Sequence, residues 1–218
     1  MQNGINFFSI LAYSSSAFAF FPFVQGVLNR NKLLLELKLI WFLITLSIIT
    51  DFLGGLLSYN LNISNLFLLN IYIVIESILL LVVYFLIIKN YKWKLIISIL
   101  IALFIIYALF FSNFKSIKSL DNIVLTSESL SIMALSIIYF QCLLKFPVHK
   151  NLLYIPFFWI NTALIFYFVG NLFLHLFSTY LQEHALYAFF ELWGIWHSLL
   201  NILFYSLISI GFWQIKRT

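Results

Sequence analysis

Seven apolar stretches, each close to the length of about 20 residues that a helix needs to cross a hydrocarbon core, constrain this chain more than any other feature. They run Ile5–Leu28, Leu39–Ser58, Leu66–Ile88, Leu95–Phe111, Asn122–Leu144, Leu152–Phe177 and Ala185–Trp213. The runs are continuous rather than alternating, which predicts helices and not the strands of a β-barrel. In 218 residues they leave only short connections, so residues 1–218 read as a single all-α seven-helix transmembrane bundle. Composition agrees: 64% of residues are hydrophobic and 9% charged, against about 45–50% and 25% in soluble domains. A soluble fold of this size lacks the charge to cover its surface. That excludes a soluble enzyme, a nucleic-acid-binding domain, a disordered chain and a disulfide scaffold. The expected partner is the lipid bilayer, with no nucleic acid.

Charge predicts the orientation. Arg30, Lys32 and Lys38 follow the first span, Lys89, Lys92 and Lys94 the third, Lys145 and Lys150 the fifth, and Lys216 and Arg217 the last. Only Lys115 and Lys118 fall on the opposite side. Cytoplasmic loops collect Lys and Arg, so the N-terminus is expected outside and the C-terminus inside. The net charge of +5 follows from the same bias toward an anionic inner leaflet. Trp41, Trp93 and Trp213 near inner span ends, and Tyr59 and Tyr180 near outer ones, read as interfacial anchors. Ala17-Phe18-Ala19 resembles a signal-peptidase site, but no basic residue precedes it and the apolar run continues to Leu28, so an uncleaved first helix is expected. Cys142 is the sole cysteine, which rules out an intrachain disulfide. Asn62-Ile63-Ser64 matches a glycosylation sequon on the expected outer side.

Function is sought among groups that lipid penalises. An ionised carboxylate near a helix centre costs about 2.5–3.5 kcal/mol on the insertion scale. Asp51, Glu76, Glu128 and Glu191 therefore face the bundle interior or water. Their depths place Glu76 near mid-membrane and Asp51, Glu128 and Glu191, with His175 and His197, in the outer half, so an outward-opening polar pocket is expected. Helical spacing supports a common facing. Trp193, His197, Asn201 and Tyr205 recur every four residues along the last span. Tyr72 and Glu76, Ser47 and Asp51, and Asn171 and His175 are likewise four apart, with Tyr167 on the last line. Gly54 and Ser58 have the spacing of a helix-packing motif. The expected ligand- or proton-binding set is Asp51, Tyr72, Glu76, Glu128, Asn161, His197 and Asn201. For Asn161 and Asn201, interhelical hydrogen bonding is the competing reading.

These residues suggest a non-enzymatic sensor, receptor-like or signalling-partner module without a cofactor, acting through a membrane signalling protein. An intramembrane zinc hydrolase is a second reading, because His175, His184, His197 and Asp51 are a chemically sensible zinc set. The paired His-x-x-x-His of ceramidase-type hydrolases is nevertheless missing from the last helix, and His184 is expected in an outer loop. A proton- or cation-coupled carrier is a third, using Asp51, Glu76 and Glu128. A retinal pump is excluded, since the last span has no lysine before Lys216. Asp51, Tyr72 with Glu76, Glu128, Phe158-Trp159-Ile160-Asn161 and Trp196-His197 through Asn201 resemble an uncharacterised seven-helix family of bacterial integral membrane proteins. The resemblance would cover nearly the whole chain. It implies a multi-pass protein of the inner membrane and supplies no activity.

Overall fold

The computed structural model describes residues 7–60, 65–110, 122–145 and 151–215. Among them every element is helical. The chain runs α1 (Phe7–Phe18), α2 (Phe20–Leu28), α3 (Leu35–Asn60), α4 (Leu66–Ile87), α5 (Tyr91–Phe110) and α6 (Asn122–Lys145). A short 3-10 turn at Leu152–Tyr154 leads into α7 (Pro156–His184), α8 (Leu186–Leu192), a π-helical turn at Trp193–His197 and α9 (Ser198–Gln214). Six of these segments are long and apolar enough to cross a membrane: Ile10–Leu28, Leu35–Ser58, Leu66–Ile87, Asn122–Lys145, Pro156–Phe177 and Tyr187–Gln214. The expected fourth span falls on α5, a helix of 20 residues that reaches the edge of the described range. The sequon at Asn62, and Lys115, Lys118, Lys150, Lys216 and Arg217, lie outside the described residues.

Two expected spans are not single α-helices. The first is divided at Ala19, between α1 and α2. Pro22 causes the break: it has no N–H to donate and its ring collides with the carbonyl four residues back, that of Phe18. The Ala19 N–H turns to Ser16 O at 3.2 Å, and helical bonding resumes with Phe23 N–H on Ala19 O. The last span is interrupted by the π turn, which inserts one extra residue into the helix. By contrast, α7 begins cleanly because Pro156 occupies its first position, where no N–H is required and φ is already helical.

The helices form a ring. In order around it, α3 packs on α4, α4 on α6, α6 on α7, α7 on α9, α9 on α1 and α2, and α2 returns to α3. α5 stands outside this ring against α4. Glycines allow the closest approaches. At Gly26 a side chain would collide with the Trp41 indole, and at Gly170 a Cβ would come 2.7 Å from Leu200. Trp41 is half-buried and donates to Phe23 O at 3.1 Å. Gly54 lies against Asn65 at the start of α4 rather than against another helix surface.

Burial is inverted relative to a soluble protein. The exposed belt is apolar: Ile49 and Phe52 on α3, Ile99 and Leu103 on α5, Phe166 and Phe173 on α7, Leu199 and Leu203 on α9. The interior holds Asn70, Ser77, Glu128, Ser129, Ser136, Asn161, Asn171 and His175 beside its leucines and isoleucines. Such a surface suits a lipid bilayer, where polar groups are tolerated inside the bundle and not on its perimeter.

Candidate functional site

One cavity of about 120 Å³ lies inside the ring and is lined by five of its members. α3 contributes Ser47, Thr50 and Asp51; α4 contributes Tyr72 and Glu76; α6 contributes Glu128. α7 adds Tyr167 and His175, and the π turn with α9 adds Trp193, His197, Asn201, Phe204 and Tyr205. The lining runs from mid-helix at Ser47, Tyr167 and Tyr205 toward the end of the bundle where α3 gives way to α4 and α7 to α8. Lys32, Lys38, Lys89, Lys92 and Lys145 are exposed toward the opposite end. The lining carries three carboxyls and no lysine or arginine.

The structure brings together six of the seven residues expected at the site: Asp51, Tyr72, Glu76, Glu128, His197 and Asn201. Asn161 is elsewhere. It is fully buried, accepts a hydrogen bond from the Tyr84 hydroxyl at 2.7 Å and donates to Ser136 O at 3.2 Å. The Ser136 hydroxyl meets the Tyr84 oxygen at 2.6 Å. With its one proton already given to Asn161, Tyr84 accepts from Ser136. Every member of this knot is paired, and it ties α4, α6 and α7 together below the cavity. Glu191, on α8, is half-buried and does not line the cavity.

The three acids differ in setting. Asp51 is exposed at the cavity's edge and accepts from Ser16 of α1 at 2.7 Å. Glu76 lies beside the Tyr72 hydroxyl, as a spacing of four on one helix dictates. Glu128 is only 2% exposed, and its Oε1 has no hydrogen-bond partner. It sits close enough to Glu76 for the two carboxyls to interact. Two like charges side by side in a low-dielectric wall need a proton or a cation between them.

Hydrogen bonds fix the imidazoles. Asn171 uses its amide NH2 on Tyr167 O at 3.0 Å, so its Oδ1, 3.2 Å from His197 Nδ1, can only accept. His197 therefore carries its proton on Nδ1, and Nε2 is left as an acceptor. The Ser129 hydroxyl lies 2.8 Å from Leu125 O and 2.7 Å from His175 Nδ1. It donates to the carbonyl and accepts from the ring, which gives His175 the same tautomer. The π turn sets Trp193 and His197 in a stack with centroids 4.6 Å apart. Trp196 from the same turn donates to Gly170 O at 2.8 Å and anchors it on α7.

The zinc set is not assembled. His184 is the last residue of α7 rather than part of a loop; it is exposed and stacks on Tyr180 at 4.6 Å, with its Nδ1 3.2 Å from Tyr180 O. Among the described residues, no three His, Cys, Asp or Glu groups come close enough to share a metal ion.

Several lining residues escape polarity-based reading. Phe168, Leu69, Ile73, Leu125 and Phe204 are apolar residues in a chain rich in them, and only the ring topology distinguishes the few that face inward. Ser129 has a faint signal: it lies next to Glu128, but nothing in the sequence pairs it with His175.

No protein-family model, curated protein or solved structure matches the chain. The resemblance to a bacterial seven-helix family rests on the residues quoted for it alone.

Proposed function

We propose that this protein is a seven-span receptor or sensor module of a bacterial inner membrane, its N-terminus outside, which takes up a small cation or protons in the ring cavity. One observation carries the reading: three carboxyls from three helices share a lining that, among the described residues, holds two histidines but no lysine or arginine. Such a wall attracts positive charge and repels anions. Bilayer orientation by basic residues puts the cavity in the outer leaflet, because the exposed lysines occupy the other end of the bundle. The signal passes through helix contacts or the short basic loops to a membrane signalling protein.

Geometry favours a receptor over a carrier. Beneath Glu76 a second cavity of about 20 Å³ is closed by Ile40, Leu43, Ile44, Leu80, Leu164 and Ile208. This volume admits about one water molecule, and its apolar floor contains no group to pass a proton or ion inward. The enzyme reading loses its metal set with the displacement of His184.

The test is a cation response of the full chain in lipid nanodiscs, read as tryptophan emission because Trp193 lines the cavity. Acidification or a panel of small cations should change that emission saturably. Glu76→Gln and His197→Ala should abolish the change while membrane yield and thermal midpoint stay nearly as they are. Loss of folding in both variants, or a response that survives them, refutes the reading.

A further inference from the structure

The cavity has two chemically different walls. α3, α4 and α6 supply the acids Asp51, Glu76 and Glu128. Opposite them, α7, the π turn and α9 supply a continuous aromatic face: Trp193 stacks on His197, Tyr167 lies 5.7 Å from His197 and 4.9 Å from Phe204, and Phe204 lies 5.3 Å from Tyr205. An acid wall facing an aromatic wall distinguishes among cations. An inorganic divalent ion would need several oxygen or nitrogen ligands at once, and among the described residues no three His, Cys, Asp or Glu groups come close enough to hold one. It would also leave the aromatic face without a role.

A primary ammonium meets both walls. Glu128 Oε1, buried and without a partner, lacks a donor, and a primary ammonium brings three N–H groups. The neighbouring Glu76 carboxyl can take another. A short alkyl body would then lie on Trp193, Tyr167 and Phe204, whose ring faces also attract the cation. A quaternary ammonium would gain the ring contact but leave Glu128 Oε1 unsatisfied. Space limits the size: 120 Å³ at about 10–15 Å³ per water-sized probe admits on the order of ten such probes, so the ligand is small.

We infer that the ring cavity binds a small primary alkylammonium, its N–H groups on Glu128 and Glu76 and its carbon chain against the Trp193–Tyr167–Phe204 face. The inference rests on the receptor reading above and narrows it to one ligand class.

The experiment is calorimetric titration of the full chain in nanodiscs with propylammonium chloride. The comparison ligands are 1-propanol, tetramethylammonium chloride and magnesium chloride. Propylammonium should bind saturably, and 1-propanol and tetramethylammonium about tenfold or more weakly, as expected for a lost charged hydrogen bond. Glu128→Gln should lower propylammonium affinity by a similar factor. Should that variant fail to insert, Trp193→Leu tests the other wall and should weaken binding several-fold. Equal binding of 1-propanol, or propylammonium affinity unchanged in whichever of the two variants folds, overturns the inference. Preference for magnesium or tetramethylammonium overturns the ligand class and leaves the receptor reading standing. If no cation binds and acidification has no effect on Trp193 emission, both fall.

Discussion

Asn161 and Glu128 are both buried polar residues within membrane-crossing helices, and the sequence treats them alike. The structure separates them by what their polar atoms touch. Asn161 is fully paired with Tyr84 and Ser136, whereas Glu128 keeps an unpartnered oxygen in a cavity wall. The first pattern is that of interhelical bonding; the second is the one the proposed ligand site requires. Tyr84→Phe should therefore destabilise the bundle by about 1–2 kcal/mol, the cost of leaving the Asn161 oxygen without its donor, and leave cation binding in place. Thermal unfolding in detergent and titration of the same sample check the two halves of that statement. A loss of binding with no change in stability would move Asn161 back into the site. Residue type and depth identified Asp51, Glu76, Glu128 and His197 as inward-facing, because a charge is penalised by lipid wherever the neighbouring helices lie. The fate of a neutral amide depends on which side chain it meets across the helix interface. No spacing rule within one helix supplies that.

At the scale of elements, apolar run length located most helix ends to within about four residues, but α7 continues seven residues past Phe177 to His184, and both interruptions were missed for different reasons. The break at Ala19 follows from Pro22, a signal present in the sequence and read only as part of an apolar run. The π turn at Trp193–His197 has no comparable local signature; its aromatic stack and the Trp196 bond to Gly170 are tertiary. The four-residue stripe from Trp193 to Tyr205 still predicted one lining face, and all four residues line the cavity. π turns occur often at functional sites because they re-aim side chains without ending a helix. Deleting Ile195 should return this turn to α-helical register. α8 would then rotate by about 100° relative to α9, one residue's worth of a 3.6-residue turn. Trp193 would leave the wall while His197 stayed with α9. The expected outcome is an inserted, folded protein whose tryptophan emission no longer responds to cations. An unaltered response would mean that the π turn does not position the wall.

For the whole molecule, the decisive relation is between α4 and α6. Glu76 faces Glu128, and eight residues further along both helices Tyr84 meets Ser136. Pairs that advance together mark helices running in the same direction, so the chain returns across the thickness of the bundle between them. α5 is the segment between them, and its 20 residues extend about 30 Å at 1.5 Å per residue, the depth of a hydrocarbon core. Among the described residues it packs mainly against α4 and presents Leu95, Ile99, Leu103 and Ile106 outward. That peripheral place explains why α5 contributes nothing to the cavity lining. It also makes the topology testable independently of function. In a Cys142→Ser background, Asn122→Cys and Glu183→Cys should react with a membrane-impermeant maleimide added outside the cell, and Asn90→Cys only after permeabilisation. Asn90 and Asn122 bracket α5. If both label from one side, α5 does not cross, the basic residues no longer sort to one face, and the cavity loses its assignment to the outer leaflet.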